Sequence, residues 1–270
     1  MKSYHTTLIT VIFLLIPSAT VASPEGIKST RIRFEGGLAH LVMRDEGISQ
    51  LLYSGTNTVL STGVRSERST YYNETRLNFQ SGIIAPSVSL VNNESHLKLI
   101  KGEINYTHMR LVMRPGNSRA RLSLGGTLNS EFTWYKHNKM TNSSDNTYFF
   151  STINISGQLQ HPVNIKETRL ELSLKLIAPV MAFIIRPSYS YIKPEGFLDH
   201  TKGTFNSLIS SIEVALLNRF PGIGSESLIR YDAGGYSVGL GYRWEYAGHL
   251  NINRLEYAQH RFLLQIGLNL

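Results

Sequence analysis

Hydrophobic residues recur at every second position through several long segments of this chain. In the C-terminal segment the hydrophobic face consists of Phe262, Leu264, Ile266, Leu268 and Leu270. The same period of two runs through 119–136, 167–177 and 228–246. Because successive side chains of a β-strand point to opposite faces, each segment is predicted to be a two-faced strand.

The length of these segments separates two all-β architectures. Strands of water-soluble proteins usually have about five or six residues, whereas a tilted strand needs about 9–11 residues to cross a membrane. The segments here are of the longer kind, and their second faces carry Gly, Ser, Asn, Arg and Glu, as in a wet barrel interior. Aromatic residues gather near segment ends, at Phe132, Trp134, Trp244 and Tyr246. The prediction is an all-β fold, a transmembrane antiparallel β-barrel; a water-soluble sandwich with shorter strands is the alternative.

The first 23 residues have the order of a secretory signal peptide. Lys2 gives a positive start, an apolar run follows from Leu8 to Ile16, and small residues occupy 17–22. The apolar run is too short to cross a membrane as a helix. We therefore predict a signal peptide at 1–23 and a barrel at 24–270.

The signal peptide, the long alternating strands and the final strand Phe262–Leu270 together resemble bacterial outer-membrane β-barrel proteins. The resemblance implies a place in the outer membrane of a Gram-negative cell envelope, contact with its lipids, and recognition of the final strand by the barrel-assembly machinery. In that class the terminal residue is usually aromatic, whereas here it is Leu270. The resemblance is one of pattern and indicates no subfamily.

About twelve strands are predicted, with ten or fourteen as open alternatives, because single-chain bacterial barrels have even numbers of strands. The predicted strands are 31–42, 50–63, 68–80, 83–91, 96–113, 119–136, 146–158, 167–177, 180–192, 204–216, 228–246 and 260–270. This count makes 178–179 a periplasmic turn and makes 193–203 and 247–259 outer loops. The segment 204–217 also carries a helical stripe, so strand and helix both stay open there.

Composition and charge exclude several classes of function. The chain has 27 Lys and Arg against 19 Asp and Glu, a net charge of +8, but the basic residues are spread out. A nucleic-acid-binding segment would carry them in a run. The chain has no cysteine, and its histidines are not spaced as metal ligands, so neither a metal nor a cofactor is predicted.

The sequence contains no complete set of catalytic residues in a known spacing, so enzyme activity is not the leading prediction. The His-x-Ser spacing of lipid A deacylase barrels is absent, and Ser95 and His96, being neighbours, face opposite ways on a strand. Omptin-like proteases use an Asp-His pair at the outer rim, and Asp199-His200 lacks a second acidic pair. Asp199, His200 and His249 are retained as outer-loop candidates only.

The charged residues on the second faces are predicted to point into the lumen. A charge on the lipid face costs about 2–4 kcal/mol at the membrane midplane, so the inward orientation is nearly forced there. The predicted lumen-facing charged residues are Arg121, Glu131, Arg169, Glu171, Lys175, Arg186, Arg243 and Glu245. This mostly basic set predicts porin-like transport through a narrow pore for small, anionic solutes.

Two alternatives to the pore stay open. The same residues could pair across the lumen and close it, giving a structural or adhesive barrel that acts through its outer loops. The second alternative is an outer-membrane lipid hydrolase. The sequence gives neither the solute nor the oligomeric state.

Overall fold

A computed structural model describes residues 29–47, 49–87, 95–113, 120–138, 145–165, 168–186, 212–251 and 253–270, and the predicted signal peptide lies outside them. The strands in this part of the chain are β1 (Ser29–Asp45), β2 (Ser49–Glu67), β3 (Tyr71–Pro86), β4 (Leu97–Met113), β5 (Arg121–His137), β6 (Asp145–Ile165), β7 (Thr168–Ile185), β8 (Glu213–Leu216), β9 (Gly222–Asp232), β10 (Tyr236–His249) and β11 (Leu255–Asn269). Among the described residues, no helix has the length and apolar character needed to cross a membrane.

The strands form one closed antiparallel ring. The strands β1 to β7 pair in chain order, β9 to β11 follow, and β11 returns to β1 along the whole register from Arg31–Asn269 to Asp45–Leu255. Both β8 and β9 pair with the same edge of β7, so the ring has ten positions and the four-residue β8 is an additional strand. We call the end where β1 begins and β11 ends the near end, and the opposite end the far end.

The two faces of the barrel wall are the reverse of those in a water-soluble protein. Outward side chains such as Leu60 and Leu240 are apolar and exposed, by 59% and 65%, whereas inward side chains such as Arg76 and Glu131 are charged and buried. Water-soluble proteins bury apolar groups and expose charges. An apolar band around a polar interior is the arrangement that suits a barrel surrounded by lipid.

The predicted number of twelve strands is wrong, because two predicted turns lie inside continuous strands. The turn at 81–82 lies within β3, and the turn at 178–179 lies within β7. Gly and Pro inside a strand mark a close approach or an irregularity as often as a turn, and Gly82 is such a case. A Cβ atom at Gly82 would overlap the Asn57 side chain of the neighbouring strand.

Other predicted boundaries change at the C-terminal half. Residues 213–216 form β8, so the strand interpretation of 204–217 is right for its described part, while 204–211 lies outside the described residues. The predicted connection 217–227 contains the first half of β9. The predicted single strand 228–246 is two strands, because the chain turns at 233–235 between the end of β9 and the start of β10. The predicted outer loop 247–259 shrinks to 250–254, because β10 and β11 both extend into it, and loop 193–203 lies outside the described residues.

Candidate functional site

A group of five charged side chains, the Lys101 cluster, bridges the lumen. It consists of Lys101 and Glu103 on β4, Glu131 on β5, Glu245 on β10 and Arg261 on β11. Lys101 Nζ lies 2.8 Å from Glu131 Oε2 and 3.3 Å from Glu245 Oε1. Arg261 donates through both terminal nitrogens to Glu103, and its Nη2 lies 2.9 Å from Glu245 Oε1. Since β4 and β10 stand on opposite sides of the ring, the cluster spans its full width.

A second group, the Glu74 cluster, lies nearer to the near end. Its members are Arg33, Glu35, Arg65, Glu74, Arg76, Glu226 and Arg243. Glu74 Oε1 accepts from Arg33 and from Arg76, each over 2.6 Å, and Arg76 Nη1 donates to Glu226 Oε1 over 2.9 Å. Because β3 and β9 are also opposite in the ring, the Arg76–Glu226 pair crosses the lumen a second time.

An apolar layer fills the lumen toward the far end. Its buried members are Leu41, Met43, Tyr53, Ile84, Leu97, Leu99, Tyr135, Tyr148, Phe150, Ala182, Ile184, Ala215, Phe220, Leu255 and Tyr257. The rings of Tyr148 and Phe150 are 4.6 Å apart, and those of Phe150 and Phe220 are 5.4 Å apart. This layer places buried apolar side chains between the far end of the barrel and the two charged clusters.

The free volume beside these clusters is small. A cavity of about 40 Å³ borders the Glu74 cluster, and one of about 100 Å³ borders the Lys101 cluster.

The structure places most of the predicted lumen residues on inward positions, already bonded to neighbours. Glu131 and Glu245 belong to the Lys101 cluster and Arg243 to the Glu74 cluster. Lys175 donates to Thr107 Oγ1 over 3.0 Å, and Glu171 accepts from Arg230 over 2.7 Å.

The other three predicted lumen residues lie toward the ends of the barrel. Arg186, just beyond β7, pairs with Asp45 at the far end. Arg121 is the first residue of β5 and is exposed at the near end. Arg169 belongs to β7, but its side chain lies outside the described part of the chain.

The outer-loop candidates are not brought together by the described structure. Asp199 and His200 lie outside the described residues. His249 is the last residue of β10 rather than a loop residue, and its Nε2 lies 3.1 Å from Glu213 Oε2. Within the described ranges, no group of three or more His, Asp or Glu side chains could hold a metal ion.

Most members of the two clusters are absent from the predicted set. The missed residues are Arg33, Glu35, Arg65, Glu74, Arg76, Lys101, Glu103, Glu226 and Arg261. A signal for them exists in the sequence, since the pairs Arg33–Glu35, Glu74–Arg76 and Lys101–Glu103 are each two residues apart. On a strand that spacing puts both charges on one face.

Comparison with known proteins gives a match at the level of the fold alone. No family model and no curated protein matches the chain. The outer membrane protease OmpT from Escherichia coli superimposes with a TM-score of 0.51 at 7% identity, over 90% of this chain and 97% of OmpT. The transport unit of the autotransporter AIDA-I from Escherichia coli gives 0.49 at 9% identity, over 98% and 97%. OprG from Pseudomonas aeruginosa gives 0.32 at 10% identity, over 91% and 98%.

The ring, its apolar outer band and the similarity to OmpT define the class of fold. The chain has the fold of bacterial outer-membrane β-barrel proteins. At such low identity the similarity supports the fold alone. The activity has to be inferred from the side chains inside the barrel.

Proposed function

We propose that this protein is a closed outer-membrane barrel with a structural role, rather than a passive pore. The observation that carries this proposal is the bridging of the lumen by Arg76–Glu226 and Lys101–Glu245, whose partners come from opposite sides of the ring. The apolar layer supports it further, because a water-filled passage would have to cross those buried rings.

The electrostatics of the interior also favour closure over anion passage. An anion-selective pore needs basic groups that are free to meet the solute. Here Arg33, Arg76, Arg243, Arg261 and Lys101 each have a carboxylate within ion-pair distance. An entering anion would have to displace these carboxylates, which is costly inside a low-dielectric barrel.

The test is single-channel recording of the refolded protein in planar bilayers. Folding and insertion are checked first by the heat-dependent shift on gel electrophoresis. We expect a folded barrel that inserts and shows no conductance steps. Discrete anion-selective conductance steps would overturn the proposal and support the pore if their conductance is lower in the Lys175→Gln variant but unchanged in the exposed-loop control Arg254→Gln.

A second candidate function rests on one contact at the far end. Ser95 Oγ lies 3.1 Å from His137 Nε2, the last residue of β5, and Tyr53 OH lies 3.4 Å from the same nitrogen. A Ser hydroxyl beside a His base is the arrangement used for nucleophilic attack on esters. Ser95 and His137 are 42 residues apart in the sequence, so a search for neighbouring Ser and His could not find them.

This contact supports the lipid-hydrolase alternative. In that reaction Ser95 Oγ would bond to the ester carbonyl carbon, while His137 Nε2 takes the hydroxyl proton and passes it to the leaving alcohol. Water would then release the acyl group from Ser95. The test is phospholipid turnover in vesicles: loss of turnover in Ser95→Ala, with the nearby control Ser87→Ala unchanged, supports the activity, and equal turnover in both variants refutes it.

A further inference from the structure

Two lysines lie side by side on the outer surface of the barrel at the far end. Lys98 of β4 and Lys136 of β5 are direct register partners, and both side chains are exposed. Their chain neighbours Leu97 and Tyr135 are buried in the lumen, so the lysines themselves point outward. Opposite residues of an antiparallel pair have Cβ atoms about 4.5–5.5 Å apart, so two positive charges are held close together.

The described side chains do not neutralise this lysine pair. Every ion pair that a lysine forms among them involves Lys101, which points into the lumen. On its other side Lys136 is in register with Asp145 of β6, whose side chain lies outside the described residues, and Lys98 is in register with Ile83 of β3. One carboxylate cannot balance two lysines, so the pair keeps an excess of positive charge.

The lysine pair departs from the charge pairing found elsewhere on the outer surface at the far end. There Arg44 of β1 is in register with Glu256 of β11, which also accepts from Arg254 over 2.7 Å. Like charges directly opposite each other destabilise a sheet. An anion between Lys98 and Lys136 would remove their repulsion and accept a charge-assisted hydrogen bond from each.

The level of the pair in the membrane indicates which anion is available. Trp134 lies on the same face as Lys136, two residues nearer the middle of the strand, and its register partner on β4 is Ile100. Aromatic residues of this kind form the girdles at the membrane interfaces. Lysines just beyond a girdle lie at the level of the lipid head groups, where phosphate supplies the negative charge.

A notch in the outer surface lies between the lysine pair and the middle of the barrel. Gly102 of β4 occupies an outward position, and nothing lies within 4 Å of the place where a Cβ atom would be. Its register partners are Phe79 of β3 and Phe132 of β5, so the notch has an outward aromatic ring on each side. Gly102 is about 13 Å along the strand from Lys98. The notch therefore suits part of an acyl chain whose head group lies at the lysines.

We propose that the lysine pair and the notch together bind one anionic lipid with a phosphate-bearing head group. The phosphate oxygens would accept hydrogen bonds from the Nζ atoms of Lys98 and Lys136. One acyl chain would pass Trp134 and lie in the notch at Gly102. The site is on the outer surface, so it is independent of whether the lumen is closed.

The experiment measures tryptophan quenching in the refolded full chain in phosphatidylcholine bilayers. The chain has two tryptophans. The Trp244→Phe variant leaves Trp134 beside the site, and the Trp134→Phe variant leaves Trp244 of β10 as the control. The probe is phosphatidylglycerol with brominated acyl chains, since bromine quenches nearby indole rings. Brominated phosphatidylcholine, whose head group has no net charge, is the matched lipid.

We expect quenching of Trp134 that saturates at a low fraction of brominated phosphatidylglycerol, whereas quenching of Trp244 should follow the bulk fraction of the probe. In the Trp244→Phe background, Lys98→Gln and Lys136→Gln should each weaken the saturable binding roughly tenfold, because each removes a charge-assisted hydrogen bond. Arg110→Gln removes a charge from an exposed outward position at the near end of β4 and should leave binding unchanged.

A second variant tests the notch while both lysines remain. In the same background, Gly102→Leu would fill the notch and should also weaken the saturable binding. Thr62→Leu adds an apolar side chain at an exposed outward position of β2 and is the control. The heat-dependent shift on gel electrophoresis checks that each variant is folded.

Four results would contradict the proposal. Equal quenching curves for the two tryptophans, or for the two brominated lipids, would show mixing in the bilayer alone. Unchanged saturation in the folded lysine variants would place the lipid elsewhere. Unchanged saturation in folded Gly102→Leu protein would remove the notch from the site. Displacement of the probe by inorganic phosphate would indicate a site for the ion rather than for the lipid.

Discussion

Arg76 on β3 and Glu226 on β9 meet across the whole width of the barrel, with 2.9 Å between Nη1 and Oε1. The two strands are half a turn of the ring apart, so this single ion pair connects opposite walls. The pair also contacts two other charged side chains, because Arg76 donates to Glu74 and Arg243 shares Glu226. The interior is therefore a network in which each charge depends on several others.

Removal of one member of this pair should be costly. We expect Arg76→Met to lower the free energy of unfolding by about 3–5 kcal/mol, because it leaves Glu226 and Glu74 buried with fewer partners. The double variant Arg76→Met/Glu226→Leu should lose less than the sum of the single variants. Urea unfolding in lipid vesicles measures both, with exposed Arg254→Met as control. Additive losses would show that the two side chains do not interact.

The pairing of β5 with β4 requires a glycine at position 125. A Cβ atom at Gly125 would lie 2.0 Å from the backbone oxygen of His108, and backbone cannot easily move aside. We expect Gly125→Ala to destabilise the barrel by about 1–3 kcal/mol, as overpacking does. In the same unfolding assay, Gly102→Ala should have little effect, since its Cβ position is open. Equal stability of the two variants would mean that the strands separate freely there.

A charged side chain on the lipid-facing surface should destabilise the barrel more at the membrane midplane than near its edges. Leu240 is 65% exposed in the middle of the outward apolar residues of β10 and β11, and Leu240→Arg should cost about 2–4 kcal/mol. Val112, equally outward but beside the near end of β4, should tolerate Arg at a cost of about 0–1 kcal/mol. Refolding yield and unfolding in vesicles report the difference. A cost that is the same at both positions would argue against this membrane placement.

A separate buried ion pair, between Asp45 and Arg186, lies at the far end of the barrel. Asp45 accepts from Tyr135 OH, from Arg186 and, over 2.9 Å, from the backbone N–H of Gly47. We expect Asp45→Asn to leave Arg186 without its charged partner and to lower the free energy of unfolding by about 3–5 kcal/mol. Asp232→Asn, at the partly exposed near-end pair with Arg31, should cost less than 1 kcal/mol. Similar losses in the two variants would contradict this difference in burial.

The sequence predicted the class of fold but only some of the charged residues that lie inside the barrel. Alternation through 119–136 and 260–270 gave the two faces correctly, because the period of a strand depends on its own residues alone. The strand number was wrong where Gly82 and Pro179 were interpreted as turns. Both positions depend on a neighbouring strand: Gly82 lies against Asn57 of β2, and Pro179 lies where the β7–β9 register ends and the β7–β8 register has not begun. The sequence of one segment does not show which strand will lie beside it.

What the sequence by itself determined is which side chains face lipid and which face inward, since that follows from period and from the cost of charge in lipid. What only the tertiary structure decided is what the inward charges do. Arg76 could have lined an open pore or paired with a distant acid. Closure of β11 on β1 brings Glu226, 150 residues away, to its side. Ring closure therefore sets the distance between Arg76 and Glu226, and that distance determines whether the two side chains can bridge the lumen.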